Sequence, residues 1–213
     1  MNLSLLLLVV LAVVVMAGGL TIATLVRRLR TLERQAVTDP LTGAFNRRHL
    51  DACLRTAIER RARFGESACL VMFDVDRFKD INDRLGHTAG DAVLKVLVLL
   101  TRQRTRTLDL LFRTGGEEFV LLLSGTRLSA ALAAAEQLRA FVAASRLIDG
   151  HTISISLGVS ELRDGQSPLE WLGDADRALY YAKRAGRNRV GGGSHKTSTI
   201  LAGVSVARVQ HSR

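Results

Sequence analysis

Apolar and polar positions divide the chain into two kinds of pattern. Residues 3–26 run for 24 positions without a charge, whereas from residue 38 onward apolar positions recur with the periods of helices and strands. As a helix the first run is about 36 Å long, enough to cross a hydrocarbon core of about 30 Å with some tilt. The expectation is one transmembrane helix within residues 1–26. A cleaved signal peptide is the competing reading, with a basic start, a short apolar stretch and a small-residue cleavage site. Nothing before Leu3 is basic, the run is longer than such a stretch, and Ala17-Gly18-Gly19 is a poor cleavage site, so a retained anchor is favoured. Ile22, Leu25, Leu29, Leu32 and Ala36 then alternate at spacings of three and four. That spacing fits either an a/d dimer seam or a single helix with an incidental stripe.

The later pattern is α/β. Residues 46–64 carry Leu50, Cys53, Leu54, Ala57 and Ile58 at helical spacing. Residues 68–73 form a continuous apolar run ending at Asp74, as expected of a buried strand. A helix is predicted over residues 88–104, a hairpin over 110–123, and an Ala-rich helix over 129–144. In residues 151–160, Ile153, Ile155, Leu157 and Val159 alternate, which predicts a strand with one buried face. Pro168 opens a further helix to about residue 185, and residues 188–190 suit a short edge strand. Helices interleaved with a strand, a hairpin and another strand imply a sandwich around a mixed sheet. The boundaries are a transmembrane helix at 1–26, a basic helical linker at 27–37, a catalytic-type domain at 38–190, and a loose Gly-, Ser- and Thr-rich tail at 191–213.

Charge refines this picture. The net charge of +10 includes +3 within residues 27–37 and +3 in the tail, leaving +4 for residues 38–190. That surplus suits small phosphorylated ligands better than a long polyanion, and no nucleic-acid partner is expected. Arg27, Arg28, Arg30 and Arg34 follow the apolar run, while the other flank has no Lys or Arg. The positive-inside bias therefore places the rest of the chain in the cytoplasm, with the arginines against anionic lipid. Cys53 and Cys69 lie on that side and are expected to be reduced.

The chemistry concentrates around Gly115-Gly116-Glu117-Glu118-Phe119, between two apolar strands. A Gly-Gly pair there predicts a hairpin turn using positive φ, and the missing Cβ atoms let a ligand approach the backbone. Asp74 ends the preceding buried strand. Magnesium takes one or two carboxylates plus substrate phosphates, so Asp74 and Glu117, with the Val75 carbonyl, are candidate ligands. Taken alone, Asp74 and Asp76 read equally well as caps that solvate a loop.

Four blocks in order resolve that choice. They are Asp39-Pro40-Leu41-Thr42-Gly43 with Asn46-Arg47-Arg48; Asp74-Val75-Asp76 through Phe78-Lys79, Ile81-Asn82-Asp83, Gly86-His87 and Gly90-Asp91; Gly115 to Phe119; and Ala175-Asp176 through Tyr180, Lys183 and Gly186-Arg187-Asn188. Together they resemble the GGDEF domain, the diguanylate cyclase family, over residues 39–190. The resemblance implies a nucleotidyl-cyclase-like α/β (α+β) sandwich with a central mixed sheet flanked by helices. It implies a homodimer that condenses two GTP into cyclic di-GMP, releasing two pyrophosphates, with Mg2+ or Mn2+. By resemblance Asp74, Val75, Glu117 and Glu118 hold the metal, and Glu117 and Lys79 are catalytic. Asn82, His87, Asp91, Lys183, Arg187, Gly115 and Gly116 bind substrate. His87 and the basic residues, taken singly, could instead be structural or solvated. A carboxylate at Asp91 can accept both adjacent N–H donors of guanine, which adenine lacks.

Arg106-Thr107-Leu108-Asp109 stands five residues before Gly115, the offset of the family's Arg-x-x-Asp product-inhibition site, although a helix-end ion pair also fits. Ala44 stands where the family commonly has Leu, and Thr114 precedes the glycines. The expectation is a single-pass protein of the bacterial inner membrane with its catalytic domain in the cytoplasm. The alternative is a catalytically silent receptor for GTP or cyclic di-GMP.

Overall fold

The computed structural model describes residues 2, 11–12, 14–27, 37–148, 151–192 and 199–201, and the chain divides into two units at residue 37. In the first unit, residues 11–12 and 14–27 are helical (α1). Among the described residues no helix is long and apolar enough to cross a membrane. The rest of the expected span, at 3–10 and 13, lies outside the described residues, as do Leu29, Leu32 and Ala36 of the stripe. Ile22 and Leu25 fall in α1, where both are exposed.

The second unit is a seven-stranded mixed sheet between helices. Its strands are β1 (Phe45–Asn46), β2 (Ala68–Val75), β3 (Leu110–Gly115), β4 (Glu118–Ser124), β7 (Ile155–Glu161), β8 (Val190–Gly192) and β9 (Thr199–Leu201). They lie in the order β1-β3-β4-β2-β7-β8-β9, with β5 (Arg146–Ile148) and β6 (His151–Thr152) in a separate ribbon. The β1–β3 and β7–β8 pairs are parallel and the other main-sheet pairs are antiparallel. The helices are α2 (Arg47–Phe64), α3 (Phe78–Leu85), α4 (His87–Gln103), α5 (Leu128–Ala144) and α6 (Pro168–Arg184).

Strand alternation sends Val71 and Phe73 into a core with Leu94 and Leu97 of α4 and Leu138 of α5. The opposite phase sends Leu70, Val120 and Phe112 to Leu50 and Leu54 of α2 and Trp171 of α6. Both faces are therefore covered, as an α/β sandwich requires. Asn46 caps α2, its side chain accepting from the His49 N–H at 3.0 Å, and Gly65 ends that helix in the left-handed region. Ser167 and Glu170 form a capping box at the start of α6.

Two expectations change, and one element is new. Residues 151–160 are two strands, and β7 is buried on both faces because it lies between β2 and β8 under α6. Ser156, Gly158 and Ser160 supply the small surface that admits α6. A Cβ on Gly158 would lie 2.2 Å from the Ala175 carbonyl oxygen and 2.2 Å from the Leu179 nitrogen. Residues 191–192 and 199–201 of the expected tail are strand, because β8 and β9 extend the sheet. The eight residues of α3 form a helix that no apolar run announced.

Candidate active site

β2 carries Asp74 to the edge of the buried core, where the residue is 6% exposed. In the antiparallel ladder Asp74 stands opposite Glu118 on one side and Ser156 on the other. Glu118, rather than Glu117, is therefore its cross-strand neighbour. Glu117 occupies the turn, and Glu118 opens β4. Lys183, in the last turn of α6, places its Nζ 2.7 Å from Asp74 Oδ2.

Burial pushes the Asp74 carboxyl above the usual carboxylate range, and Lys183 pulls it back by hydrogen bond and charge. The fields of Glu117 and Glu118 add to the upward push. Three carboxylates crowded at one strand end, with Asp74 the buried one, form a place that calls for positive charge, which Lys183 supplies. The hard oxygens of Asp74 and Glu117 fit a divalent cation. Among the described residues no three His, Cys, Asp or Glu side chains converge closely enough to hold an ion unaided. Such a pair fits a metal completed by substrate phosphate oxygens.

The hairpin departs from expectation in its turn. The turn residues are Gly116 and Glu117, after a register shift between Arg113 and Gly115, and neither glycine has positive φ. Arg113 explains the alternative. Its guanidinium donates to the Gly116 carbonyl at 3.0 and 2.7 Å and to Asp39 Oδ1 at 3.0 Å. Asp39 Oδ1 also accepts from the Thr42 amide at 2.9 Å and hydroxyl at 2.6 Å. A Cβ on Gly116 would meet nothing within 4 Å, and one on Gly115 only Glu118 Oε2 at 3.4 Å. The glycines thus leave open space beside the carboxylates, not a strained turn.

Asp76 has a different role from Asp74. It is 8% exposed and accepts from the Ser154 and Ser156 hydroxyls, each at 2.6 Å, and from the Asn188 N–H at 2.9 Å. Those bonds fasten the turn after α6, where Arg187 and Asn188 both have positive φ. Asp76 is thus a structural anchor for the loop that carries Arg187. Strand alternation places Asp74 and Asp76 on one face, but the partners that separate their roles come from β7 and the α6–β8 turn.

Asn82, on α3, lies against Gly90 of α4, where a Cβ would be 1.9 Å from Asn82 Oδ1. That oxygen is buried and has no hydrogen-bond partner. An unsatisfied buried amide oxygen against the Gly90 turn of α4 is what a base-reading pocket would hold ready for its ligand. Gly86 (φ 83°) joins the two helices. Lys79, His87 and Asp91 are exposed on α3 and α4. Among the described residues no hydrogen bond or ion pair joins them to the Asp74 cluster. Arg106 and Asp109 lie apart, before β3. Asp109 accepts from the Arg106 N–H at 2.8 Å, so this is a capped turn with an exposed Arg106 rather than an ion pair.

The domain model for "Diguanylate cyclase, GGDEF domain" matches residues 36–189. The chain belongs to the GGDEF family. It is 43% identical over 165 residues to diguanylate cyclase DgcP of Pseudomonas aeruginosa, covering 76% of this chain and 25% of that protein. Response regulator PleD of Caulobacter vibrioides is 40% identical over 163 residues, covering 74% of this chain and 36% of PleD. The chain thus spans about a quarter to a third of these two curated relatives. Among solved structures, the coiled coil and GGDEF domain of DgcB from Caulobacter crescentus, in complex with c-di-GMP, superimposes with a TM-score of 0.70 at 30% identity. That match covers 86% of this chain and 99% of the other. Diguanylate cyclase SiaD of Pseudomonas aeruginosa, solved with its activator SiaC, gives 0.69 at 39% identity, covering 82% and 68%. The GGDEF fold of mixed sheet and flanking helices is therefore established for this chain; Arg113, which the sequence did not single out, and Asp76, which it offered as a cap at the strand end, belong to its scaffold.

Proposed function

We propose that this GGDEF domain is a diguanylate cyclase, joining two GTP into cyclic di-GMP and releasing two pyrophosphates. The observation that carries the reading is the buried Asp74, crowded by Glu117 and Glu118, beside a glycine hairpin that leaves space at its tip. Asp74, Glu117, the Val75 carbonyl and, at the margin, Glu118 would hold Mg2+. When bound, the ion neutralises phosphate charge and lowers the pKa of the attacking ribose hydroxyl. Asn82 and Asp91 orient guanine through its N1 and N2 hydrogens, and His87 borders the base or ribose. Lys79, Lys183 and Arg187 take the phosphate oxygens, since phosphoryl transfer relies on positioning and charge neutralisation. The family resemblance also makes Glu117 the candidate acceptor of the hydroxyl proton, alongside its place among the metal ligands. Each domain binds one GTP, so a homodimer is required.

The membrane tether is part of the same proposal. Leu11, Val14, Val15, Met16, Leu20 and Ile22 are each more than 60% exposed, and Arg27 is the first charge after them. An apolar helix ending in a basic segment supports a single-pass protein of the bacterial inner membrane with the domain in the cytoplasm. Arg106 and Asp109 would form a product-inhibition site, an exposed guanidinium being free to fork onto a guanine or phosphate.

The test is incubation of the purified full chain in detergent with GTP and Mg2+, followed by chromatographic separation of nucleotides. Cyclic di-GMP is expected, and Asp74→Asn should abolish it. GTP binding without any product, after removal of bound cyclic di-GMP, would favour the receptor reading instead.

A further inference from the structure

A concavity of about 400 Å³ lies between α3, the segment before β7 and the α6–β8 turn, with Val93 of α4 also on its lining. Arg77, Asp80, Ile81, Arg84 and Leu85 line it from α3, at the three- and four-residue spacings that share one helical face. Arg187 and Asn188 close it from the α6–β8 turn, and Ile153 from the segment before β7. Asn82 and Asp91, which read guanine in the proposed reaction, do not line it.

Three observations point to a ligand. Among the described residues the Arg77, Arg84 and Arg187 guanidiniums have no hydrogen bond or ion pair, and all three residues line this cavity. Of the two carboxylates there, Asp76 is already engaged by Ser154, Ser156 and the Asn188 N–H. Only Asp80 remains for a ligand. Second, Arg77, Arg187 and Asn188 are the three non-glycine residues with positive φ among those described, and all three line this cavity. Such backbone persists where surrounding contacts hold it, and it clusters at ligand sites. Third, Leu85 is 42% exposed and shares the cavity with Ile81 and Ile153, an apolar floor of no use to a bare phosphate.

We propose that this cavity is a second binding site that takes a nucleotide-class organophosphate. Its ring lies on Ile81, Leu85 and Ile153, its phosphates fork onto Arg77, Arg84 and Arg187, and Asp80 accepts from a ring N–H or a ribose hydroxyl. The volume lies in the range of small-molecule pockets. Arg187 also belongs to the phosphate arm of the proposed reaction, so occupancy of one site changes affinity at the other.

ADP is a suitable probe, because Asn82 and Asp91 select against adenine. Equilibrium dialysis of the full chain in detergent against labelled ADP should give saturable binding. Arg84→Ala is expected to weaken it at least tenfold and Leu85→Ala at least threefold, whereas Asp91→Ala and Lys79→Ala leave it unchanged. Pyrophosphate should bind more weakly than ADP and ignore Leu85→Ala. No saturable binding, equal binding by wild type and Arg84→Ala, or loss in Asp91→Ala would overturn the assignment. Pyrophosphate binding as tightly as ADP would also overturn it, reducing the cavity to a phosphate subsite. None of these readouts depends on turnover, so they stand or fall separately from the cyclase reading.

Discussion

Replacing Arg113 with Ala removes a brace that joins the hairpin turn to the chain's entry into the domain. The guanidinium makes three contacts, two with the Gly116 carbonyl and one with Asp39. A hydrogen bond to a charged group contributes roughly 1.5–3 kcal/mol when its partner cannot be replaced by water. Gly116 is exposed, so water takes over most of that share. The Asp39 pair is better shielded, its side chains being 15% and 18% exposed, yet Asp39 keeps Thr42 after the substitution. The net loss should be about 2 kcal/mol, or about 4–8 °C in Tm for a domain of this size.

Acid sharpens the test. Burial pushes the Asp39 carboxyl up, but the Thr42 hydroxyl and amide and the Arg113 guanidinium outweigh it, so the folded value lies below 3.8. A depressed folded pKa adds stability that is complete above the unfolded value and lost as pH falls through the folded one. Wild type should therefore lose stability more steeply than Arg113→Ala below about pH 4. Urea titration at several pH values measures both quantities. Turnover should drop at least tenfold, because Glu117 loses its fixed turn, and Arg113→Lys should recover only part. A stability loss under about 0.5 kcal/mol, the range of ordinary surface substitutions, together with an unchanged acid slope, would refute the brace.

Other substitutions probe the rest of the scaffold. Asp76→Ala leaves the Ser154 and Ser156 hydroxyls and the Asn188 N–H without their acceptor, and should cost about 3 kcal/mol in urea titration. If GTP binds through Arg187, it should also raise KM more than it lowers kcat, and an unchanged KM would separate the anchor from the ligand. Burial, with a smaller push from Glu161, raises the Cys69 thiol to about 12, and burial raises Cys53 as well. Native protein at pH 8 should therefore react with iodoacetamide far more slowly than urea-unfolded protein, and equal rates would contradict the burial. Gly90→Ala forces Asn82 aside, so GTP affinity should fall by at least tenfold with little change in Tm, as measured by equilibrium dialysis and calorimetry.

The sheet and its long helices were legible because apolar periodicity marks elements packed on one large core. Residues 46–64, 68–73 and 129–144 read that way. The helix α3 was not legible, since Lys79, Asp80, Asn82, Asp83 and Arg84 leave only Phe78, Ile81 and Leu85 as an apolar trace. The site residues were legible as motif members, but their geometry was not. Nothing local distinguishes Asp74, which faces an ammonium, from Asp76, which is consumed by two serines and an amide more than 70 residues away. The Gly-Gly pair suggested positive φ, whereas Arg113 holds the turn from outside and frees the glycines from that demand.

Gly158 sets a further condition on the site. Because β7 has no side chain there, α6 rests with its backbone directly on the strand, and Lys183 extends from that helix to Asp74. The ammonium-to-carboxylate spacing is therefore gauged by a missing atom about 25 residues away in sequence. Any larger residue at 158 would lift the whole helix and withdraw Lys183 and Arg187 together, leaving the carboxylates in place without their basic counterparts. Basicity at this site is a property of helix height above the sheet.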